Sequence, residues 1–244
     1  MNTRLDSLWF ALAVIVIWQV LFWIAGEEAI ASPFDTLRQA VLLIGSAGFW
    51  GHAAATFEAF GWAVLIAVVL GIVMGLTLGL WPLAAEVAEP IINALYAIPK
   101  ITLYPVILLF FGLGVPAKVA FGVIHGVFPV MLLTMNGVRT IHPVIRKTAR
   151  ALRLTAVETI RTVLLPASLP EIFSGVRIGI ALTLLGTLIG ELFASNRGLG
   201  FLLLRAADRQ DVPGTMALIL LLFTVAALAG AGLLAIDRQL HHTR

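Results

Sequence analysis

The segment RTIHPVIRKTARALRLTAVETIRTVLLPASLPEIFSGVR, residues 139–177, decides how the rest of the chain is arranged. Before Leu165 it carries six basic side chains against a single acid, Glu158, and it lies between two long apolar stretches. Hydrocarbon does not accept so many charges, and short loops rich in Lys and Arg stay on the cytoplasmic side of a membrane. The segment is therefore predicted to be a cytoplasmic loop.

The same segment has the pattern of an amphipathic helix outside the membrane. Residues 147–152 and 156–165 are predicted to be helical, because their apolar side chains recur at spacings of three and four. These side chains are Ala151, Leu152, Val157, Ile160 and Leu164. A helix of this length is marginal in water, so its apolar side needs another surface to pack against.

The composition sets independent bounds. The chain of 244 residues is 60% hydrophobic and only 12% charged, with a mean hydropathy of +1.03. These values indicate an integral membrane protein. The isoelectric point near 9.8 arises largely from the basic segment, and no basic tract is interleaved with aromatic residues, so no nucleic-acid partner is expected.

Motifs that would make the chain an enzyme are missing from its sequence. It has no Cys, no phosphate-binding Gly-x-x-x-x-Gly-Lys-Ser/Thr loop, no His-Glu-x-x-His pair and no Ser/His/Asp set. The five His residues lack metal-ligand spacing. We therefore expect no catalytic residue, no cofactor and no metal, and we expect any ATP hydrolysis to occur in a separate subunit.

Six apolar stretches are predicted to cross the bilayer, which makes residues 1–244 one all-α membrane domain with both termini cytoplasmic. They are residues 8–25, 59–85, 91–114, 119–138, 178–190 and 216–236. The first could be a cleaved signal peptide, but its length and Gln19 favour a retained span. In the second, three small residues at every fourth position, Gly71, Gly75 and Gly79, predict close helix packing. Glu86 and Glu89 are expected in an inner loop.

The third stretch is the least regular. Pro99 and Pro105 interrupt it, so it is predicted to be kinked or broken. Lys100 lies about nine residues into the stretch, which places it near the midplane of the membrane. Two interpretations stay open: Lys100 lines a water-filled pathway and attracts an anion, or the span begins later and Lys100 extends to the cytoplasmic face.

Other polar residues lie within or at the ends of the predicted spans. With Pro99 and Lys100, the candidates for a translocation pathway are His125, Asn136 and Glu191. For His125 we favour a packed, hydrogen-bonded side chain over a ligand contact, and for Asn136 a hydrogen bond between helices. Glu191 is a candidate gate or receptor contact, with capping or solvent exposure as the alternatives.

Several motifs together resemble one family. Residues 147–166 follow, in part, the pattern Glu-Ala-Ala, three free positions, Gly, nine free positions, Ile, one free position and Leu-Pro, with Arg153 in the Gly place. This pattern marks the cytoplasmic coupling loop of binding-protein-dependent ABC importer permeases. Further motifs are similar to the nitrate, sulfonate and taurine branch in order and spacing. They are Ser32-Pro33, Ala97-Ile98-Pro99-Lys100, Phe111-Gly112, Phe128-Pro129, Leu165 to Pro170, Gly175-Val176-Arg177, Glu191 and Gly198-Leu199-Gly200.

The resemblance implies a six-helix fold of the type I importer kind, with a coupling loop inside residues 139–170. The coupling residues would be Lys147, Ala149, Arg150, Arg153, Leu154, Val163, Leu165 and Pro166. It also implies two cytoplasmic ATP-binding subunits, a second permease copy, identical or paralogous, and a periplasmic or lipid-anchored binding protein. The chain would lie in a bacterial inner membrane and pass a small solute inward, an anion in much of this branch.

The Arg153 departure bears on how the loop works. A glycine permits a backbone turn that other residues resist. Either the turn here avoids a left-handed conformation, or Arg153 pairs with an acidic residue in the partner's groove, and we favour the pairing. The competing function is a secondary transporter or channel for a small anion that works alone, which would not need the basic amphipathic loop.

Overall fold

The computed structural model describes residues 3–242, without the side chains of residues 3–5, 7, 8, 146, 150, 156, 233 and 235–242. The regular structure in this part of the chain is entirely helical, which confirms the all-α prediction. The helices are α1 Thr3–Ala25, α2 Pro33–Gly45, α3 Ala47–Leu80, α4 Pro82–Ala97, α5 Tyr104–Phe111, α6 Val115–Arg139, α7 Pro143–Ala151, α8 Ala156–Glu158, α9 Leu165–Ala194, α10 Leu199–Asp208 and α11 Val212–His242. A 3₁₀ turn, Lys100–Leu103, precedes α5, and a π-helical segment, Thr159–Leu164, precedes α9.

Four helical segments of the described chain are long and apolar enough to cross a membrane: α3, α6, Thr159–Ala194 and Val212–Gly232. The pair Pro82–Ala97 and Lys100–Phe111, which bends by 85° at its break, makes a fifth crossing if its two helices form one broken span rather than a re-entrant loop. The apolar part of α1, Trp9–Ala25, is shorter than these segments. That residues 8–25 cross the membrane therefore stays a prediction.

Two predicted boundaries on the second and third stretches are wrong. Helix α3 begins at Ala47, where the Ser46 hydroxyl accepts the Phe49 amide, and it ends at Leu80. Pro82 then starts α4, because proline suits the first turn of a helix but cannot continue one. Glu86 and Glu89, which we expected in a loop, consequently lie within α4. Hydropathy locates the apolar part of a helix and does not detect its polar ends.

The core is a close bundle of α3, α6 and α9. A Cβ atom added at Gly71 would lie 2.6 Å from Cβ of Val130, and one at Gly79 would lie 2.8 Å from Cβ of Val138. Contacts this short show that the α3 and α6 backbones approach each other through the predicted small-residue face, which is therefore confirmed. On the other flank of α6, Gly179 of α9 similarly faces Val130.

The two ends of this bundle are chemically different. Residues 140–164, which we call the basic loop, join the end of α6 to α9 and define the loop side of the molecule. On this side Nη1 of Arg139 donates a 2.5 Å hydrogen bond to Oε2 of Glu89, which ties α6 to α4. The opposite end, which we call the far side, carries α10 and the start of α11.

Candidate functional site

The first helix of the basic loop, α7, begins at Pro143, four positions before the predicted start. It ends in a Schellman motif, in which the Leu154 amide donates to the Ala149 carbonyl at 3.2 Å, a step of five residues. The residue that such a motif requires in the left-handed conformation is Arg153, and its φ is +51°. The expectation that the turn could avoid the left-handed conformation is therefore wrong.

The left-handed Arg153 explains why a glycine is the usual residue at this place. A side chain in this conformation brings Cβ close to the following carbonyl and costs about 1–2 kcal/mol. Here the residue in this conformation is an exposed arginine. Whether Arg153 pairs with an acidic partner stays a prediction.

A capping box, which the sequence analysis missed, restarts the helix after this turn. The Thr155 amide and hydroxyl both donate to Oε2 of Glu158 at 2.8 Å, and the Glu158 amide donates back to the Thr155 hydroxyl at 3.3 Å. The hydrogen bond from the Thr155 amide, followed by that from its hydroxyl, lowers the pKa of Glu158. The Thr-x-x-Glu spacing is the sequence signal that would have located this start.

The apolar side chains of the basic loop divide into two sets. Leu164 is buried against the bundle, whereas Leu152 and Val157 are 67% and 73% exposed. Leu152 and Val157 flank the turn at Arg153, so the predicted apolar positions do not all face the bundle. Leu152 and Val157 remain available for a surface outside the chain.

The predicted coupling residues follow the same division. Ala149 is buried, Leu154, Val163 and Leu165 are half-buried, and Lys147, Arg153 and Pro166 are exposed. The side chain of Arg150 lies outside the described part of the chain. The loop therefore presents cations together with the exposed apolar side chains of Val144, Ile145, Leu152 and Val157, while Ile141, Ala149 and Leu164 are buried.

The predicted break in the third stretch is confirmed. Helix α4 ends at Ala97, Pro99 has an extended conformation with φ −61° and ψ 104°, and the 3₁₀ turn follows. Helix α4 begins at Pro82, well before Lys100, and whether Lys100 lines a pathway or extends to the cytoplasmic face stays a prediction. The break falls between two apolar helices that bend by 85°, where freed backbone groups need partners.

Lys100 supplies one of those partners. Its Nζ donates to the carbonyl of Tyr96 at 2.8 Å and lies 4.5 Å from the centre of the Tyr96 ring. It also lies 5.7 Å from the ring of Phe128, which is 11 residues, or about 16 Å, from the loop-side end of α6. A lysine thus lies near mid-depth, stabilised by a helix C-terminus and two aromatic faces.

His125 lies one turn from Phe128 on α6 and is buried. Its Nδ1–H donates to the Phe121 carbonyl at 2.7 Å, which confirms the packed, hydrogen-bonded interpretation. Gly186 makes room for the ring, because a Cβ there would lie 2.7 Å from Nδ1. Asn136, near the loop side, is half-buried, and its carbonyl accepts the Thr140 amide at 2.9 Å.

Glu191 is the centre of a polar cluster at the far side, and its side chain is completely buried. Its Oε1 lies 3.3 Å from Nζ of Lys118, and the Thr56 hydroxyl donates to the carboxylate at 2.8 Å. The Gly200 amide donates to Oε2 at 2.9 Å, so Glu191 also caps the start of α10. Solvent exposure of Glu191, one of our alternatives, is therefore wrong, and capping is confirmed.

The cluster of Thr56, Lys118, Glu191 and Gly200, which we call the far-side cluster, was only partly foreseen. Lys118 and Thr56 were not singled out, although opposite charges at the same end of neighbouring spans are a signal for a buried pair. The cluster also holds the loop at residues 195–200: Nζ of Lys118 donates to the Arg197 carbonyl at 2.9 Å, and the Leu199 amide donates to the Thr56 hydroxyl at 2.8 Å.

The candidate pathway residues consequently do not form one site. Along α6 the order from the far side is Lys118 with Glu191, then His125, then Phe128 with Lys100, and last Asn136. Lys100 and His125 lie at neighbouring depths, whereas Glu191 and Asn136 lie at opposite ends of the bundle. The geometry separates an ion-paired far end from a mid-depth lysine.

Comparison with known proteins gives a consistent result. The model of a protein family described as "binding-protein-dependent transport system inner membrane component" matches residues 67–242. The taurine transport system permease protein TauC of Escherichia coli is 28% identical over 239 residues, covering 96% of this chain and 84% of that protein. The riboflavin transport system permease protein RibX of Chloroflexus aurantiacus is 33% identical over 226 residues, covering 86% and 83%.

Solved structures share the fold. The MetNI methionine ABC transporter in an inward-facing conformation aligns with a TM-score of 0.65 at 19% identity, covering 78% of this chain and 96% of that chain. An amino acid ABC transporter with histidines aligns with a TM-score of 0.62 at 20% identity, covering 86% and 99%. The helical arrangement is thus that of importer permeases.

Proposed function

The chain belongs to the family of binding-protein-dependent transport system inner membrane components, as a permease subunit of an ABC importer, and we propose that it carries a small oxyanion inward across the membrane. Members named for taurine, aliphatic sulfonates and nitrate are 23–28% identical to it. Members named for formylaminopyrimidine and riboflavin are 28% and 33% identical to it, so likeness alone does not select the substrate.

The observation that carries the substrate proposal is Lys100. A charge near mid-depth is costly unless it faces water, a partner or a substrate. The 3₁₀ turn Lys100–Leu103 interrupts the α-helical hydrogen bonding at the same position. A break of this kind is tolerated within a membrane only where protein or a cavity surrounds the freed backbone groups. A fixed positive charge at such a break favours a passing anion and repels a cation.

The basic loop supports the proposal that ATP is hydrolysed by separate subunits. Its exposed apolar side chains, Leu152 and Val157, lie beside several cations. Such a surface suits binding in a groove on another protein. We propose that one cytoplasmic ATP-binding subunit takes this loop, that two such subunits serve two permease copies, and that closure of the motor moves the loop against the bundle.

The partner copy is proposed to pack near the broken span. Leu109, Phe110 and Leu113 around the end of α5 are largely exposed, next to the break that carries Lys100. A second permease, identical or paralogous, at this face would enclose the pathway between the two copies. A binding protein at the far side would deliver the solute.

This arrangement assigns the two sides of the membrane. The loop side is cytoplasmic because of its cations, and the far side is the outer side of a bacterial inner membrane. With the six predicted spans, both ends of the chain are proposed to lie in the cytoplasm.

Uptake into proteoliposomes tests the proposal. We expect labelled taurine, sulfonate or nitrate to enter only when the permease is reconstituted with its ATP-binding subunit, ATP and the loaded binding protein. The matched control is the same liposome with labelled riboflavin. Uptake of riboflavin instead of an anion would overturn the substrate proposal, and anion uptake by the chain alone would identify a transporter that works without a motor.

A further inference from the structure

A cleft of about 460 Å³ opens on the far side between the start of α3, the loop at residues 195–200 and α10. Five of its lining residues matter to the argument: His52, Asn196, Arg197, Phe201 and Arg205. The cleft lies at the depth of Lys118, ten residues or about 15 Å along α6 from the Phe128 level that marks Lys100. It is therefore separate from the mid-depth lysine.

The two arginines and the imidazole that line the cleft are hydrogen-bond donors. Arg197 and Arg205 contribute two guanidinium groups, and no carboxylate is among the lining residues. The Gly198 amide donates to Nδ1 of His52 at 3.1 Å, so the neutral imidazole carries its proton on Nε2. The His52 ring is stacked on Phe201, with centroids 5.9 Å apart and planes 16° apart. The cleft thus combines two permanent positive charges with a fixed neutral donor.

The far-side cluster holds the loop that carries Arg197. Three successive amides, of Gly198, Leu199 and Gly200, donate to His52, Thr56 and Glu191 respectively. The Arg197 carbonyl accepts both Lys118 and the Ser195 hydroxyl, at 2.9 and 2.6 Å. Because these bonds fix the backbone before any ligand arrives, binding does not have to order the loop.

The far-side cluster also excludes an alternative anion site. The amides at the start of α10 are already satisfied by Glu191 and Thr56, and the charge of Lys118 is compensated by Glu191. The uncompensated charges of the cleft are therefore the two arginines, whose side chains are exposed on the far side.

We propose that this cleft is a binding site for one small oxyanion, of the sulfonate, sulfate, nitrate or carboxylate class. Guanidinium groups bind such anions through charge-assisted hydrogen bonds in a geometry that matches two oxygens at once. The volume falls in the range of small-molecule sites, and the stacked His52 and Phe201 rings offer an apolar wall to an organic substituent. Its role as the place where the solute waits before entry rests on the proposed function, whereas the binding itself does not.

Calorimetric titration of the purified chain with sodium methanesulfonate tests the site, with sodium chloride at equal ionic strength as the reference. Methanesulfonate is expected to bind well above chloride. Arg197→Gln and Arg205→Gln are each expected to weaken binding at least about tenfold, since each removes charge-assisted hydrogen bonds. The matched control is Arg209→Gln, which removes the same charge from an exposed position at the end of α10 that does not line the cleft. It should change the affinity less than about twofold, because a guanidinium that does not line the cleft donates no hydrogen bond to the anion.

Each contrary result has a distinct meaning. Equal heats for methanesulfonate and chloride, or an Arg209→Gln effect equal to that of Arg205→Gln, would overturn the site. If methanesulfonate does not bind to the isolated chain and Arg205→Gln weakens only the capture of the binding protein, the cleft is a protein-docking surface and not an anion site. Methanesulfonate binding without any ATP-driven uptake would support the anion site and contradict the proposed import function.

Discussion

The far-side cluster and the basic loop, at opposite ends of the same three helices, are held in opposite ways. Thr56 and Glu191 hydrogen-bond although 135 residues separate them in sequence, and Lys118 joins them from a third helix. In the basic loop the corresponding contact, between Thr155 and Glu158, spans three residues. One end is fixed by buried contacts between distant parts of the chain, and the other by local motifs on an exposed segment.

This difference indicates what each end does. A segment fixed by buried long-range bonds keeps its shape in the isolated subunit, so it can present a preformed surface to a ligand. A segment built from local motifs, with Leu152 and Val157 exposed, has apolar surface that a partner can cover. We therefore propose that the far side is the recognition end and the loop side the coupling end.

The largest expected effect is at the far-side cluster. Glu191→Ala leaves Lys118 buried without its partner and should destabilise the chain by about 3–5 kcal/mol, because an uncompensated buried charge is costly. Glu89→Ala is the matched control: it breaks the half-exposed pair with Arg139, for which we expect at most about 1 kcal/mol. Thermal unfolding of the purified variants measures both.

Removing both charges of the buried pair tests whether the loss of stability comes from the unpaired charge of Lys118. Lys118→Met combined with Glu191→Gln should recover much of the loss, since the amide can still accept from Thr56 and Gly200 and no buried charge remains. Equal unfolding temperatures for Glu191→Ala and Glu89→Ala would show that the two ends are not held differently.

The next effect is at Arg153. Arg153→Glu should reduce transport and substrate-stimulated ATPase together, by at least about thirtyfold, if the arginine pairs with a carboxylate in the motor's groove. Binding of the solute to its receptor should persist. Uptake and ATPase assays in reconstituted vesicles measure the two activities, and wild-type rates for Arg153→Glu would mean that the loop does not couple.

Neutral substitutions at Arg153 separate backbone strain from charge. Arg153→Gly and Arg153→Ala both remove the pairing, but only glycine relieves the left-handed conformation at φ +51°. Glycine should therefore be the milder change, with a loop about 1 kcal/mol more stable than that of the alanine variant. Transport by the alanine variant at or above the glycine level would show that the left-handed turn does not limit coupling.

A smaller effect is expected at Lys100. Lys100→Met keeps the length of the side chain and removes the charge, so transport of an anion should fall by about tenfold while assembly and basal ATPase stay near normal. Lys100→Arg, which keeps the charge, is the control. Unchanged uptake by the methionine variant would limit Lys100 to capping the Tyr96 carbonyl.

The smallest effect concerns the capping box. Because hydrogen bonds from Thr155 lower the pKa of Glu158, they stabilise the loop fully above the pH at which an unfolded glutamate titrates. This stabilisation is lost as the pH falls through the lowered pKa. Carboxyl-carbon NMR on the glutamate-labelled chain, with Glu158→Gln to assign the signal, should show Glu158 titrating at higher pH in Thr155→Ala. An unchanged titration would mean that the capping box does not form.

Much of the fold could be predicted from the sequence, because spans are read from hydropathy and close packing from small residues. The broken third span follows from Pro99 and Pro105, and the α3 to α6 contact from Gly71 and its repeats. The ends of the helices were harder to predict from the sequence. Helix α3 is capped by Ser46 and starts at Ala47, twelve residues before the stretch that hydropathy identified.

The candidate site was predicted less completely, for a physical reason. Glu191 could be marked as unusual, but its partners Thr56 and Lys118 come from distant helices that meet only in the folded bundle. Arg153 could be marked as a departure from a glycine place, yet only the backbone shows that it adopts the left-handed turn. Local motifs such as Thr155 with Glu158 were readable and were overlooked.

The basic loop is proposed to dock on a separate ATP-binding subunit. Because the chain has no Cys, a single cysteine can report on one position. Val157→Cys lies on the exposed side of the loop, and Asp208→Cys, at the end of α10 on the far side, is the control. Maleimide labelling is compared between the isolated chain and the complex with the ATP-binding subunit. We predict that Val157→Cys reacts readily in the isolated chain and is protected in the complex, while Asp208→Cys reacts equally in both. Equal labelling of Val157→Cys in both would show that the basic loop does not dock on the ATP-binding subunit.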